Sequence, residues 1–188
     1  MPLGPEIIVA KIIELGEPFV GKTTLRRRFL GESLHDNYLP TLGVDFSLKR
    51  LNYKNHIFRM MIWDLAGDQR YNTIRPGYYQ GANGCLAVYD LTRPDTFHGL
   101  KEWLKEFRTY ITDNWVPLVL VGNKLDLVGS FENSEISQED VNELKEYIMN
   151  ELGFFTVHHI LTSAITGTNV QKSFELLANA MLKKMGYI

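Results

Sequence analysis

The sequence predicts an α/β fold: one layered unit with a six-stranded, mostly parallel sheet, one antiparallel edge strand and helices on both faces. Three observations carry this. Short apolar runs alternate with segments of helical periodicity. Two of the runs are joined only by Lys54-Asn55, and a glycine-rich turn, Gly16 to Thr23, directly follows the first run. Strands are expected at 7–15, 46–53, 56–64, 85–90, 118–122 and 156–161. The two-residue link admits only a hairpin, so the second and third strands pair antiparallel. The other connections are long enough for crossover helices. The first helix runs over 24–30. The segment 96–111 places Phe97, Leu100, Leu104 and Phe107 near helical spacing, and 141–152 repeats this with Leu144, Tyr147 and Ile148. The last helix carries Val170, Phe174, Leu177 and Met181 on one stripe, which reads as core packing rather than a partner face. There is no repeat, low-complexity segment or linker, so residues 1–188 are expected to form a single domain.

Composition narrows the function classes. A chain of 188 residues that is 45% hydrophobic can bury a full core. A net charge of −2 leaves no basic footprint for nucleic acid. The single cysteine, Cys85, lies in the apolar run 84–89 and reads as a small buried hydrophobe. One cysteine excludes a disulfide framework and fits a reducing compartment. No apolar stretch reaches membrane-spanning length, and the first residues lack the pattern of a signal peptide. The expectation is a soluble, cytoplasmic domain.

The chemistry gathers at strand ends. Residues 16–23 read Gly-Glu-Pro-Phe-Val-Gly-Lys-Thr, the pattern G-x-x-x-x-G-K-T, placed where a strand ends and a helix starts. There the N–H groups of Phe19, Val20, Gly21, Lys22, Thr23 and Thr24, with the positive end of the helix, converge on one anion. Lys22 can reach the outer phosphates of a nucleotide, and the Thr23 hydroxyl can ligate magnesium. After the third strand comes Asp64-Leu65-Ala66-Gly67. Asp64 can hold that magnesium through water, and Gly67 can bring its N–H to a terminal phosphate with no Cβ in the way. After the fifth strand comes Asn123-Lys124-Leu125-Asp126. A carboxylate such as Asp126 can accept two hydrogen bonds from the N1–H and exocyclic amine of guanine. Adenine has the opposite pattern and would leave that carboxylate desolvated and unpaired, which argues against an ATP-using enzyme. After the sixth strand, Thr162-Ser163-Ala164 supplies small residues whose backbone can meet the base.

With these motifs in order, the chain resembles the Ras superfamily of small GTPases over essentially its whole length, and within it the Rab branch. Thr41-Leu42-Gly43-Val44-Asp45-Phe46 is close to the Rab pattern T-I-G-V-D-F, and Arg70-Tyr71 with 78–82 (Tyr-Tyr-Gln-Gly-Ala) is close to R-Y and Y-Y-R-G-A. The resemblance implies a P-loop NTPase of the Ras-like G-domain kind. Such a domain binds GTP or GDP with Mg2+, hydrolyses GTP, and signals through two switch loops at about 35–46 and 65–80. It makes Thr41 the threonine that meets magnesium and the γ-phosphate only in the GTP state, and Tyr38 the residue that closes over the phosphates. It places Lys22, Thr41 and Gly67 in the catalytic set, and Phe46, Trp63 and Tyr78 as the aromatic triad facing effectors. Ordinary cover for the sheet is the other reading of these aromatics. Effector, exchange-factor and activator proteins are the implied partners, and a monomer is the implied state.

The departures from the family pattern are specific. Where a glutamine usually follows the switch glycine to orient the attacking water, this chain has Asp68, with Gln69 one place later. Aspartate is shorter, and its charge faces an anionic phosphate, so slow hydrolysis is expected; Gln69 substitutes if the loop shifts by one residue. Hydrolysis could also be lost altogether, leaving a GTP-binding scaffold. Pro18 stands where glycine is usual, removing a donor and adding bulk where an activator's arginine would enter. Leu34 takes the place of the aromatic that usually stacks on guanine, and Ile165 that of a lysine in the last base-contacting motif. A polar stretch, 129–134, reads as a surface insertion, and Ser137 to Asp140 as a helix N-terminus. The resemblance implies a tail ending in lipidated cysteines; residues 185–188 (Met-Gly-Tyr-Ile) carry none, and the N-terminal Met-Pro does not fit myristoylation, so no membrane anchor is expected in this chain.

Overall fold

Every expected apolar run forms a strand. The computed structural model describes residues 5–34, 41–71, 73–113 and 115–188, without the Gln69 side chain. In chain order the elements are β1 (Glu6–Leu15), α1 (Lys22–Leu30), β2 (Val44–Tyr53), β3 (His56–Leu65), β4 (Gly84–Asp90), α2 (Pro94–His98) and α3 (Leu100–Tyr110). They continue with β5 (Leu118–Asn123), α4 (Leu125–Val128), α5 (Gln138–Asn150), β6 (Val157–Leu161) and α6 (Val170–Lys184). Short 3-10 turns occupy Gln69–Tyr71, Arg75–Tyr78 and Phe131–Asn133.

The strands form one sheet in the order β2-β3-β1-β4-β5-β6. Only β2 runs antiparallel, pairing with β3 from Val44↔Leu65 to Tyr53↔His56. Lys54 and Asn55 between them both take positive φ (43° and 58°), the two-residue turn whose twist suits a hairpin. The central strands β4 and β5 are buried on both sides, so they read as continuous apolar runs rather than alternating ones. Neighbours Ile12 and Ile13 go to opposite faces. Ile13 joins Tyr89, Phe107, Leu144 and Ile148 under α3 and α5. Ile12 joins Phe58, Val121, Phe174 and Leu177 under α1 and α6, where the rings of Phe29 and Phe174 stack at 3.7 Å. Cys85 is buried, as expected.

One expectation shifts. The single helix over 96–111 is broken at Gly99 into α2, which starts on Pro94, and α3. Proline is favoured at a first helical position, glycine is the weakest ordinary helix former, and α3 opens with a short-range bond from the Glu102 N–H to Gly99 O (3.2 Å). The stretch 129–134 lies at the surface, as expected, and is tied to the body of the domain. Phe131 packs against the core, and the Ser134 hydroxyl donates to Leu91 O at 3.1 Å. The helix start at Ser137 is a full capping box: Asp140 N–H donates to Ser137 Oγ (3.1 Å), and Ser137 N–H donates to the Asp140 carboxylate (2.7 Å). Among the described residues, no helix is long and apolar enough to cross a membrane.

Candidate functional site

The ends of β1, β3, β4 and β5 meet the start of α1 at one edge of the sheet. The turn from β1 into α1 depends on Gly21, whose φ is +97° and where a Cβ would fall 2.4 Å from the Asn123 amide nitrogen. Lys22 then opens the helix. Its ammonium folds back over the loop and donates to Gly16 O (2.7 Å) and Glu17 O (3.0 Å), so it spans the mouth. Burial pushes its pKa down, while Asp64, Glu14 and Glu17 hold it up.

Thr23, Thr41 and Asp64 come together as the sequence suggests. The Thr23 and Thr41 hydroxyls lie 2.8 Å apart; both donate to Asp64 Oδ2, Thr41 from 3.2 Å. Asp64 is fully buried, and its other oxygen, Oδ1, has no hydrogen-bond partner among the described residues. Burial raises the Asp64 pKa against the pull of Lys22 and the two threonines. Three converging hard oxygens with one orphaned carboxylate oxygen suit a small hard cation such as Mg2+, so these residues fit that ion. Gly67 sits against the loop: a Cβ there would lie 2.5 Å from Pro18 N and 2.6 Å from Glu17 C, an approach only glycine permits.

Lys22, Thr23, Thr41, Asp64, Gly67, Asp68 and Phe19 line a cavity of about 140 Å³. A second cavity of about 170 Å³ is lined by Thr24, Asn123, Lys124, Asp126, Ala164 and Ile165. The two share Gly21. Each is several times the roughly 30 Å³ of a liquid water, so each takes a larger group. Val20 and Ser163 stand behind the walls. Val20 O accepts from the Asn123 amide (2.9 Å), and the Ser163 hydroxyl donates to Asp126 Oδ1 (2.5 Å). Asn123 Oδ1 also accepts from the Thr162 hydroxyl and the Ala164 N–H, both at 3.1 Å. Asn123 therefore ties the phosphate-side loop to the loop after β6. Leu34 does not line the base-side cavity; it borders a neighbouring one with Arg28 and Glu32, and Ile165 is common to both.

Phe46, Trp63 and Tyr78 form one cluster at the sheet edge, with ring centroids 4.9 Å and 5.5 Å apart, and Phe46 is 44% exposed. Asp68 is held in a fork by Arg70, whose Nε and Nη2 donate to Oδ2 at 3.0 and 2.7 Å; hydrogen bonds from Arg70 lower the Asp68 pKa. Tyr38 and the Gln69 side chain lie outside the described residues.

Sequence reasoning missed several groups around the site. Asp90, fully buried at the end of β4, accepts from Thr92, Arg93 and Lys124, with Lys124 Nζ at 2.7 Å. Burial would raise its pKa, but these bonds outweigh it and hold it low. Arg93 also donates to Pro18 O at 2.9 Å. Trp103 on α3 donates to Glu17 Oε1 at 2.9 Å, and Arg28 on α1 donates to Ala164 O at 2.9 Å and to Ile165 O. Glu14, fully buried on β1, has neither carboxylate oxygen hydrogen-bonded among the described residues. Of these, only Glu14 had a visible signal: a charge inside the apolar run Ile12-Ile13-Glu14-Leu15.

The sheet order, the antiparallel edge and the strand–loop–helix junction define a Ras-like α/β domain. The Ras family model matches residues 11–183. The chain is 37% identical over 175 residues to Ras-related protein RIC1 of Oryza sativa subsp. japonica, covering 93% of this chain and 81% of that protein. It is 36% identical to GTP-binding protein YPTM2 of Zea mays over 175 residues, with the same coverage. It is also 36% identical to Ras-related protein RABD1 of Arabidopsis thaliana over 176 residues, covering 94% of this chain and 80% of that protein. The chain belongs to the Ras family and is a Rab-like small GTPase.

Proposed function

We propose that this chain is a guanine-nucleotide switch that binds GTP or GDP with Mg2+ and hydrolyses GTP slowly. The observation that carries the reading is the meeting of Thr23, Thr41 and Asp64 oxygens beside Lys22 and the Gly67 backbone, in a cavity next to one bordered by Asp126. Lys22 and the N–H groups at the start of α1 bind the phosphates; Asp126 takes the guanine edge. Mg2+, held by Thr23 and Thr41 with Asp64 behind it, would neutralise charge on the β- and γ-phosphates. Thr41 and the Gly67 N–H report the γ-phosphate: when it leaves, their contacts go and the segments around them relax. The chain thereby presents different surfaces to effector proteins in its two states, with Phe46, Trp63 and Tyr78 on the reading face. Exchange factors and activators are the partners such a cycle requires.

In hydrolysis a water oxygen bonds to the γ-phosphorus as the bond to the bridging oxygen of GDP breaks. Asp68 is poorly suited to orient that water, since its carboxylate is anionic and already engaged by Arg70. That engagement also supports the second reading, a GTP-bound scaffold with little or no hydrolysis. Single-turnover hydrolysis of preloaded GTP decides between them. We expect slow conversion in the wild type and a rise of about tenfold or more in Asp68→Gln. An unchanged rate in that variant overturns the account of position 68, and no conversion over hours with GTP still bound supports the scaffold. Failure to retain any guanine nucleotide overturns the switch.

A further inference from the structure

We propose that Arg70, held in place by Asp68, is a γ-phosphate-binding residue that gives this chain a preference for GTP over GDP. The inference deepens the nucleotide-switch reading and rests on it. Arg70 lines the same cavity as Lys22, Thr23, Thr41 and Gly67, the cavity assigned to the outer phosphates. A guanidinium has two edges that can each meet an anion with paired N–H groups. In Arg70 the Nε–Nη2 edge is taken by Asp68: Nε donates to Oδ1 (3.1 Å) and Oδ2 (3.0 Å), and Nη2 to Oδ2 (2.7 Å). Asp68 Oδ1 accepts the Arg70 backbone N–H as well, at 2.9 Å, so side chain and main chain are fixed together. The Nη1 side has no hydrogen bond among the described residues.

This arrangement is a poor stability device. Both side chains are well exposed, 78% for Arg70 and 38% for Asp68, and an exposed pair adds little to folding. It is a good orienting device. A long, flexible arginine at a cavity lip is reduced to one pose with a paired-donor edge to spare, so less of its freedom remains to be lost on meeting a phosphate. It also gives position 68 a use other than water activation. A carboxylate facing the γ-phosphate alone would repel it, whereas the Asp68–Arg70 unit is neutral overall and offers the phosphate N–H donors. Asp68 is thus a positioning residue and Arg70 the one that touches the ligand.

The test is equilibrium binding of GDP and of a β,γ-imido GTP analogue, with Mg2+, to the full chain and to Arg70→Ala, Arg70→Lys and Asp68→Ala. GDP lacks the γ-phosphate and serves as the control for folding and for the rest of the site. We expect Arg70→Ala to weaken the analogue about tenfold or more while GDP changes by less than about twofold. Arg70→Lys should recover only part of the loss, since an ammonium has no fork, and Asp68→Ala should lower the analogue-to-GDP ratio in the same direction. An unchanged ratio in Arg70→Ala overturns the proposal, and a higher ratio in Asp68→Ala overturns the positioning role. Wild type binding neither nucleotide would instead overturn the switch reading and this inference with it.

Discussion

Replacing Glu14 with leucine tests whether a carboxylate buried inside the sheet without hydrogen bonds is a burden or a counter-ion. Glu14 is fully buried on β1, beside Asp64 in the β1–β3 register, and neither of its oxygens is hydrogen-bonded among the described residues. Burial and Asp64 push its pKa well above the usual carboxylate range, while Arg26 and Lys22 pull it back. Leaving a buried polar group unsatisfied costs about 1–3 kcal/mol, and burying a leucine in its place is worth about 1.5–3 kcal/mol. Against this, Lys22 and Arg26 lose one anionic neighbour, although Asp64 remains near both and Asp45 remains on Arg26. We expect Glu14→Leu to gain about 1–2 kcal/mol, which for a chain of this size raises Tm by roughly 2–8 °C. Thermal melts of nucleotide-free protein across pH read it directly. A carboxyl raised in the folded state stabilises fully below its unfolded value and loses that contribution as pH climbs through the folded value. The advantage of the variant should therefore grow with pH from the ordinary carboxylate range upward. A loss of about 3 kcal/mol or more at neutral pH would refute the reasoning, because that is the signature of breaking a buried ion pair; Glu14→Gln, which keeps the shape, would then fall in parallel.

Two further outcomes follow from buried polar groups. His159 accepts from or donates to the Tyr89 hydroxyl at 2.8 Å, and burial lowers its pKa to about 4. A histidine lowered in the folded state stabilises fully above its ordinary value of about 6.5 and loses that as pH falls towards 4, a loss on the order of 3 kcal/mol. An NMR titration of the ring should show a midpoint well under 6; a midpoint near 6.5 refutes it, and His159→Phe should flatten the acid limb of stability. Asn123→Ala strips partners from Val20 O, the Thr162 hydroxyl and the Ala164 N–H at once. At about 1 kcal/mol for each, it should cost about 3 kcal/mol and weaken GDP and GTP analogues alike; unchanged melts would remove Asn123 from the framework.

Placement of the central strands was legible because both of their faces are covered. Runs such as Gly84–Asp90 have no polar side to confuse them, and the hairpin link and the G-x-x-x-x-G-K-T turn fixed two junctions. The grouping of Thr23, Thr41 and Asp64 was legible through motif order and family resemblance rather than through spacing. What was not legible depends on segments far apart in sequence. Arg93 reaches Pro18 across 75 positions and Trp103 reaches Glu17 across 86, and neither leaves a local pattern. The break at Gly99 was missed because the apolar spacing of Phe97, Leu100 and Leu104 continues across it, and periodicity reports the buried face rather than the continuity of the backbone. Leu34, which stands where the family pattern has an aromatic, does not border the base-side cavity; Ile165 and Leu127 do.

The position of Arg26 bears on how far a change at the phosphates can travel. It follows Thr23 by three residues on α1, is buried, and binds the Asp45 carboxylate and the Ser47 hydroxyl (2.6 Å) on β2. None of these bonds involves a phosphate, so β2 stays pinned to α1 in either nucleotide state of the proposed switch. Phe46 lies between Asp45 and Ser47 and directly opposite Trp63, so its backbone is held by the residues on either side while its ring projects from the other face of the strand. In the proposed switch, relaxation of Thr41 would leave this pinned part of β2 in place. Gly43, with φ +78°, is the natural pivot ahead of it. Its carbonyl accepts the Ala66 N–H at 2.8 Å, one residue before Gly67. The two segments proposed to meet the γ-phosphate are therefore joined to each other at Gly43 and Ala66. Loss of either contact is felt by both, while the strand that presents Phe46 keeps its register.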